Sequence, residues 1–148
     1  MNTAIRYQAA IIRDDQILLI KHREHATGRT YWILPGGRRE RHETEEACVR
    51  REAQEETGLE VSVERLLLDE DEIPFETYYK RLKTYLCRVI NGDPKPGHDP
   101  EVESAERHSI AEVRWCGLGG SVQWDDSIAH DPIIFPLLQR IRAVLGYA

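Results

Sequence analysis

A glutamate-rich helix held between glycine turns constrains this chain more than any other feature. From Gly37 to Leu59 the sequence reads GRRERHETEEACVRREAQEETGL. Thr44 is a good N-cap, and Glu45 and Glu46 suit the positive end of a helix. Gly58 is a left-handed stop, so the pattern predicts a helix over Glu45–Thr57. Glu52, Glu55 and Glu56 then lie toward its last turn, within an arc of roughly 100°. That is the wrong end for anions, since each exposed acid there is disfavoured by about 0.3–1 kcal/mol. Glu52 also meets Glu55 and Glu56 at i+3 and i+4, where like charges repel by about 0.2–0.5 kcal/mol per pair. A bound divalent cation reverses the sign of every one of these terms. A hard ion, Mg²⁺ or in its place Mn²⁺, is the simplest explanation.

The ordinary alternative is a solvated acidic face. It has too few partners here: no Lys or Arg follows Glu52, Glu55 or Glu56 at i+3 or i+4, and Arg51 reaches Glu55 alone. Cys48 and Val49 share the arc one turn earlier, so the arc is expected to be partly covered. The solvated face is the weaker reading.

The same segment resembles the signature of the Nudix hydrolases, the MutT-like family. That pattern is Gly, five residues, Glu, seven residues, then Arg-Glu-apolar-any-Glu-Glu-any-Gly-apolar. Gly37, Glu43, Arg51, Glu52, Glu55, Glu56, Gly58 and Leu59 meet it, and Ala53 stands where a larger aliphatic residue is usual. Trp32-Ile33-Leu34-Pro35-Gly36 extends the likeness upstream. The resemblance implies an α/β/α sandwich with a mixed sheet between helices. It implies a metal-dependent hydrolase acting on a phosphoanhydride (pyrophosphate) bond of a nucleoside diphosphate-linked substrate, such as a nucleoside triphosphate or ADP-ribose. By the same resemblance Glu52, Glu55 and Glu56 are the metal ligands, joined by the backbone carbonyl of Gly37. Glu52, Glu55 and Arg51 then belong to the catalytic group, with Arg51 and Glu43 orienting the carboxylates. The family's general base lies in this segment or on a later loop, where Glu101, Glu103 and Glu106 are candidates and the mid-loop Glu103 is preferred.

Composition narrows the rest. A chain of 148 residues with 41% hydrophobic content buries one sizeable core, so residues 1–148 read as a single domain. A formal net charge of −6 argues against nucleic acid as the main partner and demands metal ions or local Arg and Lys for a polyphosphate. The substrate is expected to be a small nucleotide. Dimers are frequent among similar proteins, but no surface stripe demands a homodimer. Cys48, Cys87 and Cys116 are far apart and form no CxxC pair, so they read as buried thiols. The first fifteen residues lack a leader pattern and no apolar run approaches 18 residues, so the expected location is cytoplasmic, without a membrane span.

Strands are expected at 4–12 and 17–22 around an Asp14-Asp15 turn, then at 31–34, 61–68, 77–90 and 112–116. A closing amphipathic helix is expected over 133–145. Pro35-Gly36-Gly37 reads as a sharp break, and Asn91-Gly92 as the start of a long loop to about Arg107. In strand 77–90, Leu82, Leu86 and Ile90 share one face and Tyr85, Cys87 and Val89 the other, suggesting burial on both sides. Glu40 and Glu45 read as surface acids. Arg23, Arg29, Arg38 and Arg39 either meet phosphate oxygens or serve surface solubility, and Trp32, Phe75, Tyr78 and Trp124 either stack a base or pack the core. Pro74, fifteen residues beyond Leu59, is placed as in ADP-ribose-cleaving relatives. Six scattered histidines without an HExxH pattern give no zinc site. The rival functional class is a non-catalytic nucleotide-sensing module on the same fold; an isomerase would need a reactive Cys for which no motif speaks.

Overall fold

Strand β1 (Ile5–Arg13) is apolar on both faces, which only a strand in the middle of a covered sheet can satisfy. A computed structural model, describing residues 4–71, 79–98, 108–119 and 124–147, places it there. It turns through Asp14 and Asp15, both with positive φ, into β2 (Gln16–Glu24). The chain continues through β3 (Thr30–Ile33), β4 (Gly36–Gly37), α1 (Glu45–Thr57), β5 (Glu60–Asp71), β6 (Arg81–Asn91) and β7 (His108–Gly117). A short α2 (Asp126–Ala129) and then α3 (Ile134–Leu145) follow.

The sheet order is β3-β2-β1-β6-β5, with β4 paired to β1 and β7 to β2. β1 and β6 run parallel, Ile5 beside Arg81 through Ile11 beside Cys87, and the other pairings are antiparallel. The sheet is therefore mixed. Alternation along β1 divides the core: Tyr7, Ala9 and Ile11 pack with Cys48, Val49 and Ala53 of α1. Ala10 packs on the opposite side with Ile134, Leu137, Leu138 and Ile141 of α3. Helices thus cover both faces, giving the α/β/α arrangement.

Helix α1 occupies the residues that its caps mark. The Thr44 hydroxyl accepts the Ala47 N–H at 3.1 Å, and Gly58 leaves the helix at φ 75°. Other expectations need correction. Gly36 and Gly37 form a two-residue strand on Gln8 and Tyr7 in addition to a turn. β5 and β7 run beyond the expected ends, and β6 is buried on both faces only in its first half: Ile90 is 59% exposed. Residues 77 and 78 and the loop from 99 to 107 lie outside the described residues. Among the described residues no helix is long and apolar enough to cross a membrane.

Candidate functional site

Packing on β1 leaves one side of α1 facing the strand β4. Glu52 and Glu56 sit there, 7% and 2% exposed, and Glu55 lies beside them at the partly open edge. The N–H of Gly36 donates to Glu56 Oε1 at 2.7 Å. Gly37 faces the Glu52 carboxylate so closely that a β-carbon there would stand 2.6 Å from Oε1. Glycine is needed because a carboxylate fills the space that a side chain would take.

Arg51 ties the cluster together. Its Nε and Nη2 donate to Glu43 at 2.7 and 3.0 Å, and Nη2 also reaches the Arg38 carbonyl at 3.1 Å. Its Nη1 lies 3.0 Å from Glu52 Oε1 and 3.2 Å from Glu55 Oε2. Arg51 therefore contacts Glu52 as well as Glu55, the one partner expected from helical spacing. Hydrogen bonding to Glu43 is the main influence raising the Arg51 pKa, against the cost of burial. Burial, followed by the charge of Glu56, pushes the Glu52 carboxyl up to about 8, while Arg51 and Arg6 act in the opposite sense.

Among the described residues no three His, Cys, Asp or Glu side chains converge closely enough to hold a metal as they stand. The donor chemistry nevertheless fits a divalent cation. Hard carboxylate oxygens and a main-chain carbonyl are what Mg²⁺ and Mn²⁺ accept. Glu52 and Glu56 are buried together at a helix end of the same sign, a pairing that positive charge relieves.

A cavity of about 480 Å³ lies between β1, β3 and the start of α3. Tyr31, Tyr79, Leu82 and Leu137 give it apolar walls, and Arg6 contributes cationic charge. Arg6 Nη2 donates to the Leu34 carbonyl at 2.8 Å, and its guanidinium stands 5.9 Å from the Tyr79 ring centre. The charge of Arg6 also acts on Glu52, so one side chain serves both cavity and cluster.

Several other expected residues are placed differently. Trp32 lines the cavity but is 1% exposed, held by Ser127 Oγ at 2.9 Å and flanked by Lys21 and Arg114. Trp124 packs edge-on against Phe135, and its Nε1 donates to the Gly117 carbonyl. Both are packing residues. Arg29 reaches the cavity while paired with Glu24, and Arg39 holds the Glu43 carbonyl. Glu45 is no plain surface acid: it accepts hydrogen bonds from Tyr85 and Lys83 of β6. Cys48, Cys87 and Cys116 are buried thiols, and burial is the main cause raising Cys48 to about 12. Glu101, Glu103 and Glu106, with Pro74, Phe75 and Tyr78, lie outside the described residues.

Sequence reasoning did not single out Arg6, Tyr31 or Tyr79, because strand register alone brings them to one cavity. His22 was noted only as scattered, yet its Nε2 lies 3.8 Å from Glu56 Oε2. Its position two residues before the end of β2 carries no local signal of that contact.

Comparison with known proteins agrees with this geometry. The NUDIX domain model matches residues 5–129. The NAD-capped RNA hydrolase NudC of Photobacterium profundum is 48% identical over 113 residues, covering 76% of this chain and 40% of that protein. A Caenorhabditis elegans protein named as a nudix hydrolase is 33% identical over 101 residues, covering 68% of this chain and 26% of its own length. The chain thus spans less than half the length of these curated relatives. In fold, the ADP-ribose pyrophosphatase structure from Streptococcus suis matches with a TM-score of 0.65 at 21% identity, over 96% of this chain and 92% of that one. The sheet order, the glutamate helix and the matched span together show that this chain belongs to the Nudix hydrolase family.

Proposed function

We propose that the chain, acting as one catalytic domain over residues 1–148, hydrolyses a phosphoanhydride bond in a nucleoside diphosphate-linked substrate. The observation that carries this reading is the buried pair Glu52 and Glu56 beside the side-chain-free face of Gly37. Glu52, Glu55, Glu56 and the Gly37 carbonyl would hold Mg²⁺ or Mn²⁺. When bound, such an ion neutralises phosphoryl oxygens and acidifies a water. Arg51 keeps the carboxylates oriented through Glu43, so they need not reorganise as charge shifts. Glu103, outside the described residues, is the proposed general base.

The cavity accounts for the rest of the substrate. Its size suits a nucleoside, its tyrosines suit a planar ring, and Arg6, whose charge also acts on Glu52, offers a cation to a phosphate. Support for a diphosphate bridging two groups comes from the names of the Photobacterium and Streptococcus proteins, since NAD and ADP-ribose both contain that bridge. A small nucleotide is therefore preferred as substrate. NAD-capped RNA belongs in the same test because the Photobacterium relative carries it in its name.

The deciding experiment is a phosphate- and product-release screen with Mg²⁺ or Mn²⁺ over nucleoside triphosphates, ADP-ribose, NAD and NAD-capped RNA. Turnover of a diphosphate-bridged compound, abolished by chelation and lowered at least about a hundredfold in Glu55→Gln, supports the reading. Binding without release across the panel would leave the sensing module in its place.

A further inference from the structure

The chain beyond β6 turns back onto the glutamate-bearing end of α1, and main chain makes the contact. An α-helix leaves its last four carbonyls without helical partners. Here Gly58 N–H takes the Gln54 oxygen at 2.9 Å. The other three go to the segment 93–98: Lys95 N–H to Thr57 O at 2.9 Å, Gly97 N–H to Glu56 O at 2.9 Å, and His98 N–H to Glu55 O at 3.1 Å. Gly97 lies so close that a β-carbon there would overlap the Glu55 carbonyl oxygen. It would also stand 2.9 Å from the carbonyl carbons of Glu55 and Glu56. No residue with a side chain fits without moving the two elements apart.

Two of those three carbonyls belong to Glu55 and Glu56 themselves. Their hydrogen bonds do two things for the carboxylates above. They supply positive dipole at the negative end of the helix, where the acids are otherwise penalised. They also fix the rotation of the last turn, and with it the directions in which the Glu55 and Glu56 side chains leave the backbone. We propose that the segment 93–98 is a strap that positions the metal-binding turn, with Gly97 as its positioning residue. The inference rests on the reading that Glu52, Glu55 and Glu56 hold a divalent cation. Linkage then works in both directions: a strap that favours the metal-binding arrangement is itself held more firmly once metal is bound.

The test measures Mn²⁺ binding by calorimetry on the full chain, as the unaltered protein, Gly97→Ala and Glu55→Gln. The strap predicts Mn²⁺ binding weakened by about tenfold or more in Gly97→Ala, the effect usual for groups that orient metal ligands, in a protein that still melts cooperatively. Binding as tight as in the unaltered protein overturns the strap and leaves the metal reading standing. If the unaltered protein takes no Mn²⁺, or Glu55→Gln binds it equally well, the metal reading fails and the strap with it. Should Gly97→Ala not fold, amide exchange in the unaltered protein decides. Slower exchange at Lys95, Gly97 and His98 on adding Mg²⁺ supports the strap, and unchanged exchange overturns it.

Discussion

Arg51 and Glu43 meet in a two-point ion pair across the turn that leads into α1, Nε on Oε2 at 2.7 Å and Nη2 on Oε1 at 3.0 Å. The pair fixes the plane of the guanidinium, which leaves Nη1 directed at Glu52 and Glu55. Glu43 therefore acts on the site without touching it. Replacing Glu43 by Gln keeps the size and one acceptor but removes the charge and one arm of the fork. We expect kcat to fall by about tenfold to a hundredfold, with a stability loss of about 1–2 kcal/mol for a half-buried charged hydrogen bond. Steady-state kinetics and urea unfolding check the two effects separately. Unchanged kcat in a destabilised variant would reduce the pair to a structural brace.

Glu52 carries the opposite expectation for stability. Its carboxylate is buried beside Glu56, and Arg51 compensates only part of the cost. Glu52→Gln removes the cost of that buried charge, which the metal-free fold meets near neutral pH by holding Glu52 largely protonated, while keeping the shape. The metal-free variant is expected to be more stable than the parent by about 1 kcal/mol, the low end for relief of such a charge, and to be nearly inactive. Adding Mg²⁺ should raise the melting temperature of the parent more than that of the variant, because only the parent would retain the full set of proposed ligands. A variant that loses stability without metal would show that Arg51 compensates Glu52 fully.

Helix α1 was legible because its signals are local: Thr44 caps it, Gly58 ends it, and the residues between have helical spacing. The mixed sheet was legible in outline from apolar runs and turns. What escaped depends on register. Gly36 and Gly37 carry no alternation, and only Tyr7 and Gln8 beside them make them a strand. The four residues of α2 are too few for a periodic signal, and Asp125 caps them through Ser127. Arg51 reaches Glu52, its neighbour in sequence, because a long side chain anchored at Glu43 curls back over the helix; spacing arguments treat such neighbours as diverging. The cavity needed residues 6, 31 and 79 from three separate places, which no local pattern could join.

Glu45 supplies a pH dependence away from the glutamate cluster. Burial works against its charge, but hydrogen bonds from Tyr85 and Lys83 outweigh that and hold its carboxyl below the ordinary value. A depressed folded-state pKa stabilises the fold at pH above the unfolded value of about 4.3. The contribution disappears as pH falls through the lower folded value. Partial exposure limits it to about 1 kcal/mol. Urea unfolding at pH 7 and pH 3 should show Glu45→Gln losing stability at pH 7 and matching the parent at pH 3. An equal difference at both pH values would assign the effect to packing and not to charge.

Arg6 separates substrate holding from chemistry. Its Nε and Nη2 are engaged by Gln8 and the Leu34 carbonyl, which fixes a guanidinium that lines the cavity and whose charge acts on Glu52. If a phosphate passes there, the contact exists in the bound substrate as much as in the transition state, so its loss falls on KM. Arg6→Gln should raise KM for a diphosphate-bridged nucleotide by about tenfold, as loss of a charge-assisted hydrogen bond does, with kcat within a few-fold. Lys in its place should restore charge but not the two anchoring bonds, and recover only part of the affinity. Raising salt should weaken binding in the parent more than in Arg6→Gln. A variant in which kcat falls and KM stays fixed would move Arg6 from holding the substrate to stabilising the reacting phosphoryl group.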